Sequence, residues 1–239
     1  ARVTGVRVAG GDVGATGGEF VADLVVDATG RGSATPERLV ELGFEAPYAE
    51  LLPTRVAYAS CMFRRPEGLD GRRAVVVSGS AGARRRGILF PVEGGRWLVT
   101  LVGFFGEPMP RDHDAFRAFA RSLPVPDVYE AIREAEPVTS IASYRYAGNF
   151  RHRYEALDRL PEGLIVMGDA VCSFNPIYAQ GMTVAAVEAE LLGKALVRAR
   201  DQGGIDPAFG RRWFQGLAPI IDAAWNGVSL EDLRFPELA

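Results

Sequence analysis

Leu164-Ile165-Val166-Met167-Gly168-Asp169-Ala170-Val171-Cys172-Ser173-Phe174-Asn175-Pro176-Ile177-Tyr178-Ala179-Gln180-Gly181-Met182 is the stretch on which the fold turns. Its first four residues are apolar without alternation, the mark of a short strand buried on both faces. Gly168 ends that strand where a ligand could approach the backbone closely. Asp169 follows at the carboxyl end, the side on which open α/β sheets bind ligands. Pro176 punctuates the turn before a helix. The amides around Ala179, Gln180 and Gly181 would then lie at the helix N-terminus, which favours an anion or an electron-rich ring edge. Gly181 and Ala185 would keep the helix face low enough for a flat ligand. Taken alone, a Gly-Asp pair here is equally a strand–turn–helix joint with a capping aspartate.

The whole string is more specific than its parts. Gly168, Asp169, Ala170, Pro176, Gln180, Gly181 and Met182 resemble the second flavin motif of the FAD-dependent aromatic hydroxylases, the class A flavoprotein monooxygenases. The chain departs from that motif at Ala179, Thr183 and Cys172, where glycine, asparagine and histidine are usual. The Cys-Ser-Phe-Asn-Pro-Ile-Tyr version resembles the branch that holds polyether-type epoxidases. The resemblance implies that Asp169 bonds the ribityl chain of FAD and that amides near Gly181 and Met182 face the flavin pyrimidine edge.

A second segment supports the same reading. Leu24-Val25-Val26 reads as a central strand buried on both faces, and Asp27-Ala28-Thr29-Gly30-Arg31-Gly32-Ser33 follows it. This resembles the family's strand ending in Ala-Thr-Gly, which implies that Thr29 and Gly30 lie close to the cofactor. Gly30-Arg31-Gly32 nearly makes a dinucleotide loop, but the third glycine is missing and Pro36 shortens the following helix.

The family's opening strand–G-x-G-x-x-G–helix is absent from these 239 residues. The chain also starts at Ala1 and runs straight into a hairpin. On this reading it is the carboxyl-terminal part of a larger protein, lacking about 150 residues that would bind the ADP half of FAD. Alone it would bind FAD poorly and be inactive.

Outward from these segments the pattern changes. A hairpin is expected around the glycine loop at 10–18, and a short helix over Pro36–Leu42, stopped by Gly43. Val56–Phe63, Ala74–Val77, Gly87–Phe90 and Trp97–Val102 read as strands, with Glu93-Gly94-Gly95 as a hairpin turn. Helices are expected over Asp112–Ser122 and Pro126–Glu134, and a strand over Val138–Tyr146. Asn149–Arg159 reads as a polar connection. A long helix should carry Tyr178, Met182, Ala185, Ala189, Leu192 and Leu196 on one face, and a last helix should cover Pro207–Ala224. The pattern gives the fold class α/β (α+β), and the resemblance implies part of a Rossmann-like FAD-binding domain interleaved with an antiparallel-sheet substrate domain. The expected division is 1–48 and 156–200 for the FAD domain, 49–155 for the substrate domain, and 201–239 for a helical segment.

Within the substrate domain the candidate lining residues are Arg55, Tyr58, Phe90, Trp97 and Phe104, with Ser60, Met62 and Thr100. The bland alternative is that these aromatics are core. Arg84-Arg85-Arg86 reads as a solvated hairpin tip, or else as a site for the phosphate of NADPH. His113 reads as a helix-start surface residue, His152 as a catalytic option, and Cys172 as a packed thiol.

Composition excludes several classes. Net charge is −3, so no basic field favours nucleic acid. Two cysteines and two histidines supply neither a disulfide framework nor zinc spacing. The thiols suggest a cytoplasmic protein, and no apolar run is long enough to span a membrane. The leading reading is a FAD-dependent monooxygenase, a hydroxylase or epoxidase using NAD(P)H and O2 on a small apolar substrate. The alternatives are a halogenase or reductase of the same fold, for which Lys194 is a poor halogenase lysine, and a truncated binding module without catalysis.

Overall fold

The computed structural model describes residues 1–8, 17–65, 74–78 and 83–238. In chain order its elements are β1 (Gly5–Val8), β2 (Gly18–Val21), β3 (Val25–Asp27), α1 (Thr35–Glu41), β4 (Ala49–Leu52), β5 (Val56–Arg64), β6 (Val75–Val77), β7 (Arg85–Val92), β8 (Arg96–Gly103), α2 (His113–Arg121), α3 (Asp127–Ile132), β9 (Ala142–Tyr146), β10 (Asn149–His152), β11 (Leu164–Val166), β12 (Cys172–Ser173), α4 (Gln180–Asp201) and α5 (Phe209–Asp232). They form two compact units, residues 1–52 with 149–230, and residues 53–148 with 231–239.

In the first unit β3 and β11 pair in parallel, with Val25 opposite Leu164 and Asp27 opposite Val166. Two parallel strands of one sheet require a crossover between them, and here more than a hundred residues separate them in sequence. Ile165 and Val166 are buried, as their unbroken apolar run predicts. β3 differs from expectation: Val26 is 38% exposed, because among the described residues β3 has β11 as its one strand partner. β1 and β2 form the expected hairpin, while the glycine loop between them lies mostly outside the described residues.

Asn149–Arg159 is not a simple polar connection. Its first part is β10, which pairs antiparallel with both β4 and β12. Arg151 hides its charge by pairing, so its polarity misled the pattern reading. The unit's core gathers Leu39, Ile165, Phe174, Phe214, Leu217 and Trp225, and α5 docks on β11 through Trp213 Nε1, which donates to the Val166 carbonyl at 3.0 Å. α5 also runs past the expected stop at Ala224, with Pro219 inside it. α1 begins with a proline in its first turn and stops at Gly43, whose φ is +79°.

The second unit is a five-stranded antiparallel sheet in the order β6-β7-β8-β5-β9. Its register sets which side chains share a face. Ala59, Cys61, Phe63, Leu89, Trp97, Val99 and Leu101 pack under α2 and α3 with Phe116, Val128 and Ile132. α2 starts at Asp112, whose carboxylate accepts the Ala115 amide at 2.7 Å. Among the described residues no helix is long and apolar enough to cross a membrane.

Candidate functional site

Because β3 and β11 are adjacent and parallel, the loops that leave their carboxyl ends, 27–35 and 167–175, lie side by side. The first loop winds around Asp27. Its Oδ1 accepts the Thr29 amide at 2.9 Å and the Thr29 hydroxyl at 2.6 Å, and its Oδ2 accepts the hydroxyls of Ser33 and Thr35. Burial would raise the Asp27 carboxyl, but these bonds outweigh it and hold the group below the usual aspartate range. The sequence reading missed Asp27. Its signal was an acid followed by hydroxyls two, six and eight positions later.

The second loop bends at Gly168, whose φ is +64°, a left-handed conformation that favours glycine. Asp169 Oδ2 accepts the Ser173 hydroxyl at 3.0 Å, and Ser173 Oγ in turn accepts from Arg31 Nη1 at 2.7 Å. Arg31 also lies over the Phe150 ring, 4.9 Å from its centroid. One chain of bonds thus joins the Ala-Thr-Gly loop to the Gly-Asp loop, which no local pattern foretold.

α4 begins beside Asp169. Its N-cap, Ala179, is left-handed at φ +51° and offers no side-chain cap, so the first amides of the helix have no capping side chain. A Cβ built on Gly181 would come 3.5 Å from Asp169 Oδ1, which places that carboxylate oxygen at the helix start. Met182 is 83% exposed there. A Cβ at Gly30, Gly32 or Gly168 would meet nothing within 4 Å, so the floor between the two loops is open. Pro176 opens a short turn whose Asn175 side chain accepts the Ile177 amide at 3.2 Å, and Gln180 Nε2 donates to the Tyr178 carbonyl at 3.1 Å.

The structure therefore brings Thr29, Gly30, Gly168, Asp169, Gly181 and Met182 together in one unit. A carboxylate for hydroxyls, uncapped amides on a helix dipole and an open glycine floor are the donor set that a flavin's ribityl chain and ring edge require, so the residues present fit the group.

Below this floor lies a second residue that pattern reading missed. Glu188 is 1% exposed, and its Oε2 accepts the Gly168 amide. Its signal was an acid four residues after Val184 on the buried stripe of α4. Cys172 is buried as well, and burial pushes its thiol far above the normal range. His152 sits between the Phe150 and Tyr154 rings, and burial lowers its imidazole below the usual histidine range.

The residues expected to line a substrate surface separate by register. Tyr58, Ser60, Met62, Phe90 and Thr100 occupy the sheet face opposite α2 and α3, where Ser60 and Thr100 hydroxyls bond at 2.8 Å. Trp97 belongs to the helix-covered face and is fully buried. Phe104 stacks on Phe235 with centroids 4.7 Å apart. Arg55 is exposed at φ +45°. The three arginines are not a solvated tip: Arg84 pairs with Glu237, Arg85 with Glu107 at 2.7 Å, and Arg86 covers Phe104 and Phe235. His113 opens α2 and meets the Thr139 carbonyl at 3.0 Å. Lys194 is exposed and paired with Glu190 at 2.5 Å, so no tunnel lysine is seen there.

No protein-family model matches the chain. It is 37% identical over 222 residues to Protein Rv3254 of Mycobacterium tuberculosis (strain ATCC 25618 / H37Rv), which covers 91% of this chain and 46% of the relative. The chain thus spans about half the length of the curated relative it matches. Among solved structures it resembles the flavin-dependent brominase Bmp2, with TM-score 0.66 and 14% identity over 99% of this chain and 59% of that one. It also resembles OxyS anhydrotetracycline hydroxylase from Streptomyces rimosus, with TM-score 0.56 and 18% identity over 91% and 40%. A third is a variant of Klebsiella pneumoniae HpxO complexed with FAD, with TM-score 0.57 and 24% identity over 91% and 53%. At such identities the likeness speaks of fold. The chain has the mixed helix-and-sheet fold shared by flavin-dependent hydroxylases and halogenases.

Proposed function

We propose that the chain is part of a FAD-dependent monooxygenase, a hydroxylase or epoxidase, and that its first unit holds the ribityl and ring portion of FAD. The observation that carries this is the joined pair of loops at the carboxyl ends of β3 and β11, with the uncapped start of α4 beside Asp169. The flavin, when bound, supplies the electron transfer and the oxygen activation. Everything else is asked of the protein. Asp169 accepts hydroxyls of the ribityl chain. The amides of Gly181 and Met182, at the positive end of α4, favour negative charge at the ring edge. Gly30, Gly32 and Gly168 leave room for a flat ligand to meet backbone. NAD(P)H is the proposed reductant, O2 the oxidant, and a small apolar molecule the substrate. The proposed substrate surface is the sheet face of the second unit that carries Tyr58, Ser60, Met62, Phe90 and Thr100, a lining of aromatic and aliphatic surface with three hydroxyls. Oxygen transfer to a double bond asks for no acid–base side chain, and the carboxylates of this site are engaged in holding its loops: Asp27 by Thr29, Ser33 and Thr35, and Asp169 by Ser173.

The test is a flavin titration of the full-length protein and of Asp169→Ala, followed by fluorescence quenching. Losing a charge-assisted bond of ~1.5–3 kcal/mol should weaken binding about 10–100-fold. Unchanged affinity in the variant overturns the assignment.

A further inference from the structure

The carboxyl of Glu188 has no evident task in the reading above, yet it is among the most unusual groups in the first unit. It sits on α4 at 1% exposure, in a stripe otherwise made of small and apolar residues. One oxygen, Oε2, accepts the amide of Gly168, the left-handed residue that turns the chain into Asp169. The other, Oε1, is buried with no hydrogen-bond partner. Among the described residues no arginine or lysine pairs with it. Its charged neighbour is the Asp169 carboxylate, and the Cys172 thiol on β12 is within electrostatic reach.

We propose that Glu188 is a positioning residue for the candidate cofactor site, fixing the Gly168–Asp169 turn through the Gly168 amide and loosening that turn when its carboxyl loses its proton. This rests on the flavin reading for its consequence, but not for its geometry. A neutral carboxyl can leave Oε1 in an apolar setting as a hydroxyl. An ionised one strengthens the Gly168 bond but leaves Oε1 charged and unpartnered beside the like charge of Asp169, and where that burial cost outweighs the bond it is relieved by opening toward water. The raised position of the Glu188 carboxyl, about 7, follows from burial first and the Asp169 charge after it, and is opposed by the Gly168 bond. The turn that aims Asp169 is thus set by a carboxyl that changes state near neutrality.

Two measurements test this on the full chain. The first needs no flavin: the amide resonance of Gly168 in glycine-labelled protein, followed from about pH 5.5 to about 8.5. It should titrate with a midpoint near 7 in the wild type. In Glu188→Gln, which keeps an acceptor for Gly168 and cannot ionise, it should stay flat. The second is the affinity for FAD across the same range. Wild-type affinity should fall above about pH 7, by up to tenfold per pH unit. Glu188→Gln should hold the low-pH affinity throughout, and Glu188→Ala should bind weakly at every pH. The inference is overturned if the Gly168 amide does not titrate, or titrates alike in Glu188→Gln. If it titrates as expected while no flavin binds at any pH, the positioning of the turn stands and the flavin reading fails.

Discussion

Asp222→Ala tests how the first unit anchors its carboxyl-terminal helix. Arg151, on β10, has a fully buried side chain. Its Nη1 donates to Asp222 of α5, and its Nη2 to Glu155 at 2.8 Å. Arg153 adds bonds to Glu50, to Glu155 at 3.2 Å and to Asp222 at 3.0 Å. Removing one partner of a buried pair costs about 3–5 kcal/mol, because the other charge stays behind unpaired. Two features reduce that here. Asp222 is 44% exposed on its side chain, so water can replace part of it, and Glu155 continues to serve Arg151. The expected loss is therefore about 2 kcal/mol, and Tm should fall by roughly 4–8 °C for a chain of this size. Replacing both partners, as Arg151→Met with Asp222→Leu, should cost less than the sum of the single changes, since no charge is stranded. Acid should reproduce part of the effect. Burial would raise the Asp222 carboxyl, but the bonds from Arg151 and Arg153 hold it below the usual range. A depressed carboxyl stabilises the fold above its unfolded value of about 3.9, and that contribution is lost as pH falls through the folded value. Urea melts of the wild type, Asp222→Ala, Arg151→Met, Asp222→Leu and the double variant would decide. A single variant within ~0.5 kcal/mol of wild type, or a double variant as costly as the sum, refutes this account.

Other consequences are simpler to measure. Gly87→Ala should destabilise by about 1–3 kcal/mol in a denaturant melt, because its Cβ would lie 2.5 Å from Leu123 Cδ1 and 3.4 Å from Val128 Cγ2, where α3 and the turn before it press on β7. Gly168→Ala should cost only about 1 kcal/mol in stability, since φ is +64° but the new methyl group meets nothing; flavin affinity should fall by more than the melt does. Neither Cys61 nor Cys172 should react with a thiol reagent in the native protein, because both are buried and burial raises both thiols; both should react once it is unfolded.

Periodicity and punctuation settled much of this protein in advance. Apolar runs punctuated by glycine and proline announced β5, β7 and β8. Unbroken apolar runs before Asp27 and Gly168 announced two parallel-type strands. Spacings of three and four announced α4. These signals are local: each follows from the side-chain repeat of one element against one core. The resemblance at 164–182 likewise pointed to Asp169, Gly181 and Met182 from neighbouring residues alone. What required the tertiary structure is whatever joins distant residues. That β3 lies beside β11 makes two loops a single site, and Arg31 reaches Ser173 across 142 positions. Register, not residue type, put Trp97 in the core and Phe90 on the opposite face. Arg151 and Glu188 look like surface residues in a string of letters. Burial made one the centre of an ion network and the other a support beneath the Gly-Asp turn. A charge's environment is set by what folds against it, and a sequence records the charge without recording its neighbours.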